Sequence, residues 1–164
     1  MVNAARKAFL DMIAWSEGTS SHPLTQHDGY DVIVTGVDGK RVFTDFSNHP
    51  FANGGYVTVR PGPPPLNSTA AGRYQFLARF WNIYRAQLRL PDFGPDSQDI
   101  VALQMIRERG ALALIDAGDI EGAIAKCANL WASLPGNSYS QGGHKAEVLL
   151  AKYEELSTLG PQSA

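Results

Sequence analysis

An α+β fold, a mainly helical body with one small antiparallel sheet beside it, is predicted by three features of the sequence. An apolar stripe at helical spacing opens the chain. Two β-branched runs flank an Asp-Gly turn in the first third, and after residue 68 the apolar positions return to helical spacing for most of the remaining length. The 164 residues suit one compact domain, 1–164, of a size that admits two lobes about a groove.

The first helix is marked by Ala5, Phe9, Met12, Ile13, Ser16 and Glu17, whose three- and four-residue steps place them on one face. Gly18 is the expected stop, and residues 18 to 30, rich in Ser, Thr, His, Gly and Pro, form an irregular connection. Asp31 to Thr35 and Arg41 to Asp45 read as a hairpin about Asp38-Gly39, with Tyr56 to Val59 as a third short strand. Pro61-Gly62-Pro63-Pro64-Pro65 can continue neither a helix nor a sheet interior, so residues 47 to 67 read as a long surface flap. From Ser68 the pattern turns helical, with Leu77, Phe80, Trp81, Tyr84 and Leu88 as its bulky apolar side up to Pro91. Asp96 is placed to cap a helix through Ile100, Leu103, Met105 and Ile106 toward Gly110. Ala111 to Ala117 gives a short helix, and Asp119 caps another over Ile120 to Cys127. A loop from Leu134 to Gly143 surrounds Tyr139, and a last amphipathic helix spans His144 to Leu156.

Glu17 breaks the apolar face that carries it. In the last turn of a helix it meets unpaired carbonyls and the negative end of the dipole, and partial burial beside Phe9 and Trp15 acts in the same direction, against ionisation. A carboxyl kept neutral near working pH can serve as a general acid. A glutamate swinging out to water at a frayed helix end fits the same pattern, and both readings stand at this level.

Composition narrows the remaining classes. A net charge of −2, with no basic run, argues against general nucleic-acid binding, and Arg73, Arg79, Arg85 and Arg89 read as the solvated side of their helical region. Cys127 is the single cysteine, so no disulfide can form within the chain; beside Ala128 on an apolar face it reads as a core thiol. Asp11 and Glu17 interrupt any signal-peptide core, and no apolar run is long enough to cross a bilayer. The spacing of His22, His27, His49 and His144 fits no metal-ligand motif, which leaves them as surface or local structural residues. Ala71-Gly72-Arg73-Tyr74-Gln75 offers a turn where the backbone can approach closely and an amide able to hydrogen-bond a sugar, or simply a helix start with an exposed Gln.

Arg6-Lys7-Ala8-Phe9-Leu10-Asp11-Met12 followed by Trp15-Ser16-Glu17-Gly18-Thr19 closely resembles the start of the bacteriophage lambda lysozyme (endolysin) family. The likeness continues in order through Gly29-Tyr30-Asp31-Val32-Ile33-Val34, Phe43-Thr44-Asp45, His49-Pro50, Ala71 to Gln75, Trp131-Ala132-Ser133-Leu134-Pro135-Gly136 and Lys145-Ala146. It implies a lysozyme-like fold and a lytic transglycosylase acting on bacterial peptidoglycan, with Glu17 as the catalytic residue. By the same resemblance Glu17 protonates the oxygen between N-acetylmuramic acid and N-acetylglucosamine, then takes the proton of the muramoyl C6 hydroxyl as that oxygen attacks C1. A 1,6-anhydromuramoyl end results. Tyr139, on the lower lip of the groove, and more weakly Gln75 and Tyr30, are the implied glycan contacts. No metal and no cofactor are implied.

Hydrolysis is the nearest alternative, because a muramidase pairs its acid with a second carboxylate about 5–9.5 Å away. Asp31 and Asp45 are the residues that could supply one, although both sit at strand ends where bonding to local backbone is their expected role. A wall-binding protein without turnover is the alternative of another class. The resemblance further implies a monomer made in the host cytoplasm and acting at the periplasmic wall. Lacking a signal peptide, it would depend on a holin-like membrane permeabiliser. The flap from Phe51 to Leu66 is longer and richer in proline than the family pattern.

Overall fold

The computed structural model describes residues 3–136 and 143–159, which form two compact units. One contains the described parts of Met1–Glu17 and Ala102–Ala164; the other is Gly18–Val101.

The first unit is helical. α1 (Ala4–Ser16) starts at Asn3, whose side chain accepts from Arg6 N–H at 2.8 Å and so satisfies one of the free amides of the first turn. Its Ala8, Phe9, Leu10, Met12, Ile13 and Ala14 are all buried, making it the centre of the unit's core. Against it pack α4 (Leu112–Asp116) and α6 (Ala146–Thr158), while α5 (Ile120–Lys126) bridges between those two. Arg6 is paired with Asp116 at 2.7 Å, tying α1 to α4. Asp119 caps α5 as its position suggests, accepting from Gly122 N–H at 3.0 Å. Cys127 is fully buried just beyond.

The second unit holds all the β structure among the described residues. β1 (Val32–Gly36) and β2 (Gly39–Val42) form the expected hairpin, with Val32 opposite Val42 and Ile33 opposite Arg41 and a bulge before the turn. β2 is shorter than Arg41 to Asp45 and shifted toward the turn. The third strand, β3 (Val57–Arg60), does not extend this sheet: it pairs antiparallel with β4 (Leu66–Ser68), giving two separate two-stranded sheets. The surface flap thus includes a second hairpin, with the proline run as its connection. Val37 N–H donates to Thr58 O at 2.9 Å, too little pairing for a single ladder.

Residues 68 to 77 are not helical, contrary to the sequence expectation. Ala71 bridges to Ile33 on one side and to Phe76 on the other, and Gly72 sits at φ 84° in a tight turn. A side chain at Gly72 would lie 2.5 Å from Gln98 Oε1 and 2.9 Å from Phe93 Cζ, so the turn is both left-handed and tightly covered. α2 therefore begins late, at Ala78, and runs to Leu88. Within it Ala78 and Trp81 face the core, whereas Phe80 is 42% exposed, so the buried stripe is narrower than its aromatics suggest. α3 (Pro95–Glu108) starts on a proline, which places Asp96 inside the first turn rather than at the cap.

Arg73 also departs from expectation. It is 4% exposed, not solvated, and its Nε donates to Asp28 O at 2.8 Å. Burial works against its charge, but Tyr74, Tyr30 and Asp28 outweigh that and keep it protonated. Around it Asp99 Oδ1 accepts from Tyr30 Oη at 2.8 Å and Tyr74 Oη at 2.6 Å. Gln98 alongside accepts from Arg73 N–H at 2.8 Å and donates to Phe93 O at 2.7 Å and Tyr30 O at 3.0 Å. Two adjacent side chains of α3 thereby fix three loops.

The geometry at Gly72 sets a stability test. Gly72→Ala adds left-handed strain to a clash with Gln98 and Phe93, and a urea titration should show a loss of about 2–4 kcal/mol at unchanged slope. A midpoint equal to the parent's would contradict this account of the turn.

Candidate active site

Glu17 closes α1 as its C-cap, with φ −75° and ψ −9°, and its N–H still donates to Ile13 O at 2.8 Å. Gly18 at φ 76° then turns the chain out of the helix. The backbone holds Glu17 in helical register, on the face that carries the buried Ile13 and Met12. Its side chain is half-buried and does not swing free.

The group that holds it comes from residues 131–136. Trp131 and Leu134 are buried and anchor a turn closed by Leu134 N–H onto Trp131 O at 3.1 Å. Between them Ser133 Oγ donates to Glu17 Oε1 at 2.7 Å, and Ser16 Oγ donates to Ser133 Oγ at 2.7 Å. Burial pushes the Glu17 carboxyl above its ordinary range, while hydrogen bonds from the Ser133 side chain and backbone pull the other way and only partly offset it. The result is a carboxyl that ionises less readily than an exposed one, yet is already supplied with a donor for its ionised form. Such a group can give a proton and take one back.

Ser133 and Ser16 carry no sequence signal of this role. Ser133 stands within the Trp131 to Gly136 stretch of the family resemblance, but only the fold brings it to Glu17. Tyr139, the leading glycan-contact candidate, lies outside the described residues.

The remaining candidates fall in the second unit. Tyr30 donates its hydroxyl to Asp99, and burial with the Asp99 charge raises that phenol well above its ordinary range. Gln75 adopts φ 52° and folds its amide back, Nε2 donating to Gly72 O at 3.0 Å. The donors foreseen for sugar are therefore committed, in part, to the unit itself. Asp31 is buried, its two oxygens accepting from the Thr25 hydroxyl and from Gln26 N–H. Asp45 is exposed and accepts from Ser47 N–H at 2.9 Å, which holds it below the usual carboxylate range. Both follow the local backbone role expected of them.

The histidines also have local partners. His49 is buried, donating from Nε2 to Phe76 O at 2.8 Å and accepting Phe51 N–H on Nδ1 at 3.0 Å; burial lowers its basicity. His22 Nδ1 accepts from Leu24 N–H at 3.2 Å, His27 lies edge-on to Phe46, and His144 packs on Trp15. An open cleft of about 590 Å³ lies along the flap and the start of α2, lined by Phe51, Tyr56, Asn67, Leu77, Arg79 and Asn82.

A family model described as Endolysin matches residues 7–159. The chain belongs to the endolysin family. It is 56% identical over 155 residues to the endolysin of Escherichia phage lambda, covering 94% of this chain and 92% of that one. It is 60% identical over 146 residues to the endolysin of Escherichia phage P2, with 87% of each covered. Its fold is similar to that of bacteriophage lambda lysozyme in complex with a chitohexasaccharide, at TM-score 0.86, 55% identity and coverage of 95% of this chain and 96% of that chain. A second structure of lysozyme from bacteriophage lambda matches at TM-score 0.81 and 54% identity. Family membership makes the chain a peptidoglycan-degrading enzyme of phage type with an α+β, lysozyme-like fold.

The raised Glu17 ionisation fixes the sign of a pH effect. A carboxyl whose folded value exceeds its unfolded one keeps full stability below the unfolded value and loses it as pH rises through the folded value. Glu17→Gln should therefore unfold at higher denaturant than the parent at pH 7, the advantage vanishing below about pH 4. A Glu17→Gln variant less stable than the parent at pH 7 would reverse the assignment of burial as the dominant influence.

Proposed function

We propose that the chain cleaves the β-1,4 bond between N-acetylmuramic acid and N-acetylglucosamine by lytic transglycosylation, with Glu17 acting first as acid and then as base. The observation that carries this reading is the half-buried Glu17 carboxyl, raised in its ionisation and held on one oxygen by Ser133. It protonates the glycosidic oxygen, releasing the 4-hydroxyl of N-acetylglucosamine. As carboxylate it then accepts the C6 hydroxyl proton of the muramoyl residue while O6 bonds to C1, so Glu17 ends as it began and no water is consumed. The tethered nucleophile brings a high effective concentration to C1 and replaces a second carboxylate.

The local engagement of Asp31 and Asp45 favours this route over hydrolysis, since neither is a spare base within its unit. A relative's structure with a chitohexasaccharide favours a glycan ligand. Tyr139, Gln75 and Tyr30 are our glycan contacts, Gln75 through the part of its amide not turned to Gly72, and Tyr30 through its ring. The cleft along the flap, with the exposed Tyr56 beside Asn67, Asn82 and Arg79, has the mixture of aromatic surface and amides that sugars bind. We further propose a monomer that needs no cofactor, is made in the host cytoplasm and reaches the periplasmic wall through a holin-like permeabiliser.

Digestion of purified peptidoglycan in ¹⁸O-water, read by mass spectrometry, tests the reaction. Muropeptides should carry 1,6-anhydromuramoyl ends without label. Labelled reducing ends would show a hydrolase. Glu17→Gln should lower turnover by about 10²–10⁴-fold while still sedimenting with the wall; undiminished clearing of a wall suspension by that variant would remove Glu17 from the chemistry.

A further inference from the structure

Ser133 meets the Glu17 carboxyl through its hydroxyl and its backbone, and the hydroxyl is directed at one oxygen. Oε1 accepts the Ser133 hydroxyl, whose own oxygen accepts the Ser16 hydroxyl. A hydroxyl has one proton to give, so the direction runs from Ser16 through Ser133 to Glu17. We propose that Ser16 and Ser133 are positioning residues that reserve Oε1 as a fixed acceptor, so that the catalytic proton resides on Oε2, leaves from it to the glycosidic oxygen and returns to it from the C6 hydroxyl. This rests on the reading of Glu17 as acid and base.

Ser133 is itself held from several sides. Its carbonyl accepts His144 N–H at 2.9 Å, and the following Leu134 is fully buried. A side chain at Gly143 would come within 2.7 Å of Ser133 O and 3.0 Å of Leu134 O, so glycine is what lets the two segments touch. The His144 ring packs on Trp15 with centroids 4.9 Å apart, one residue before Ser16. Trp15-Ser16-Glu17 at the end of α1 and Ser133 beside Gly143-His144 therefore form one interlocked assembly. This packing places a hydroxyl 2.7 Å from the carboxyl without help from substrate.

The relay also balances the two chemical steps. Burial favours the acid needed for bond cleavage; a donor on Oε1 favours the carboxylate needed for ring closure. Several charged groups on the neighbouring elements are occupied elsewhere. Arg6 pairs with Asp116 of α4, Lys7 with Asp11 of α1, and Lys152 of α6 with Glu155 and the Trp15 ring. His144 stacks on Trp15, and Lys145, Glu147 and Glu154 lie on or beside α6. The influences on Glu17 are burial and Ser133, not these groups.

The test is a pH profile of turnover on purified glycan strands, paired with ¹³C NMR titration of the Glu17 carboxyl, which needs no turnover. Ser133→Ala should move Glu17 ionisation to higher pH, carry the alkaline limb of kcat with it and lower kcat by about ten- to a hundredfold, with KM little changed. Ser133→Thr keeps the hydroxyl and should restore both readouts. Ser16→Ala leaves Ser133 in place and should shift the titration in the same direction by less, which keeps the proposal testable if Ser133→Ala fails to fold. Glu17→Gln is the control for the underlying reading: if it turns over normally, the acid assignment falls and the relay falls with it. If Glu17→Gln is inactive but Ser133→Ala and Ser16→Ala leave the titration and kcat where the parent has them, the relay alone is overturned.

Discussion

Glu17 is held against the cost of ionising a carboxyl group where an apolar helix ends. α1 is the core of its unit, and its length up to Ser16 is lined with buried side chains. Gly18 follows Glu17 directly and stops the helix, so the carboxyl is carried inward on the apolar face and then left without further helix to shield it. Ionisation there loses water and meets the negative end of the helix. The unit answers with Ser133, through its hydroxyl and its backbone. That donor partly offsets the cost of burial, so the carboxyl loses its proton less readily than an exposed glutamate while its charged form still has a hydrogen-bond partner.

The second unit is organised around a buried positive charge. Arg73 is surrounded by Asp28, Tyr30 and Tyr74, and the adjacent pair Gln98 and Asp99 gathers the loops at 30, 73 and 93 onto one turn of α3. A buried cation costs solvation, which partners offset only when geometry is good. Its stability therefore depends on loops keeping their places. This is why Tyr30 serves the architecture through its hydroxyl, although the family resemblance implied it only as a glycan contact.

Much of the helical framework was legible because it rests on local rules. The stripe of α1, the stop at Gly18 and the cap at Asp119 are each decided within a few residues, and the structure follows them closely. Residues 66 to 77 were misread for the opposite reason. β4 is three residues long with two exposed, so it has no alternation to read, and the turn at Gly72 exists because Gln98 and Phe93 cover it from far along the chain. Arg73 read as solvated for the same cause: its partners are distant. In the candidate site Glu17 announced itself as a carboxylate on an apolar face, whereas Ser133, 116 residues away, becomes visible only when folding sets its hydroxyl on Oε1.

Cys127 lies fully inside the helical unit, and burial pushes its thiol up to about 12. A sulfur so reluctant to lose its proton makes no thiolate for oxidants or mixed-disulfide partners to capture at neutral pH. The fold thus stays indifferent to the redox potential around it, and a molecule of this kind can pass from a reducing to an oxidising environment without rebuilding any covalent bond.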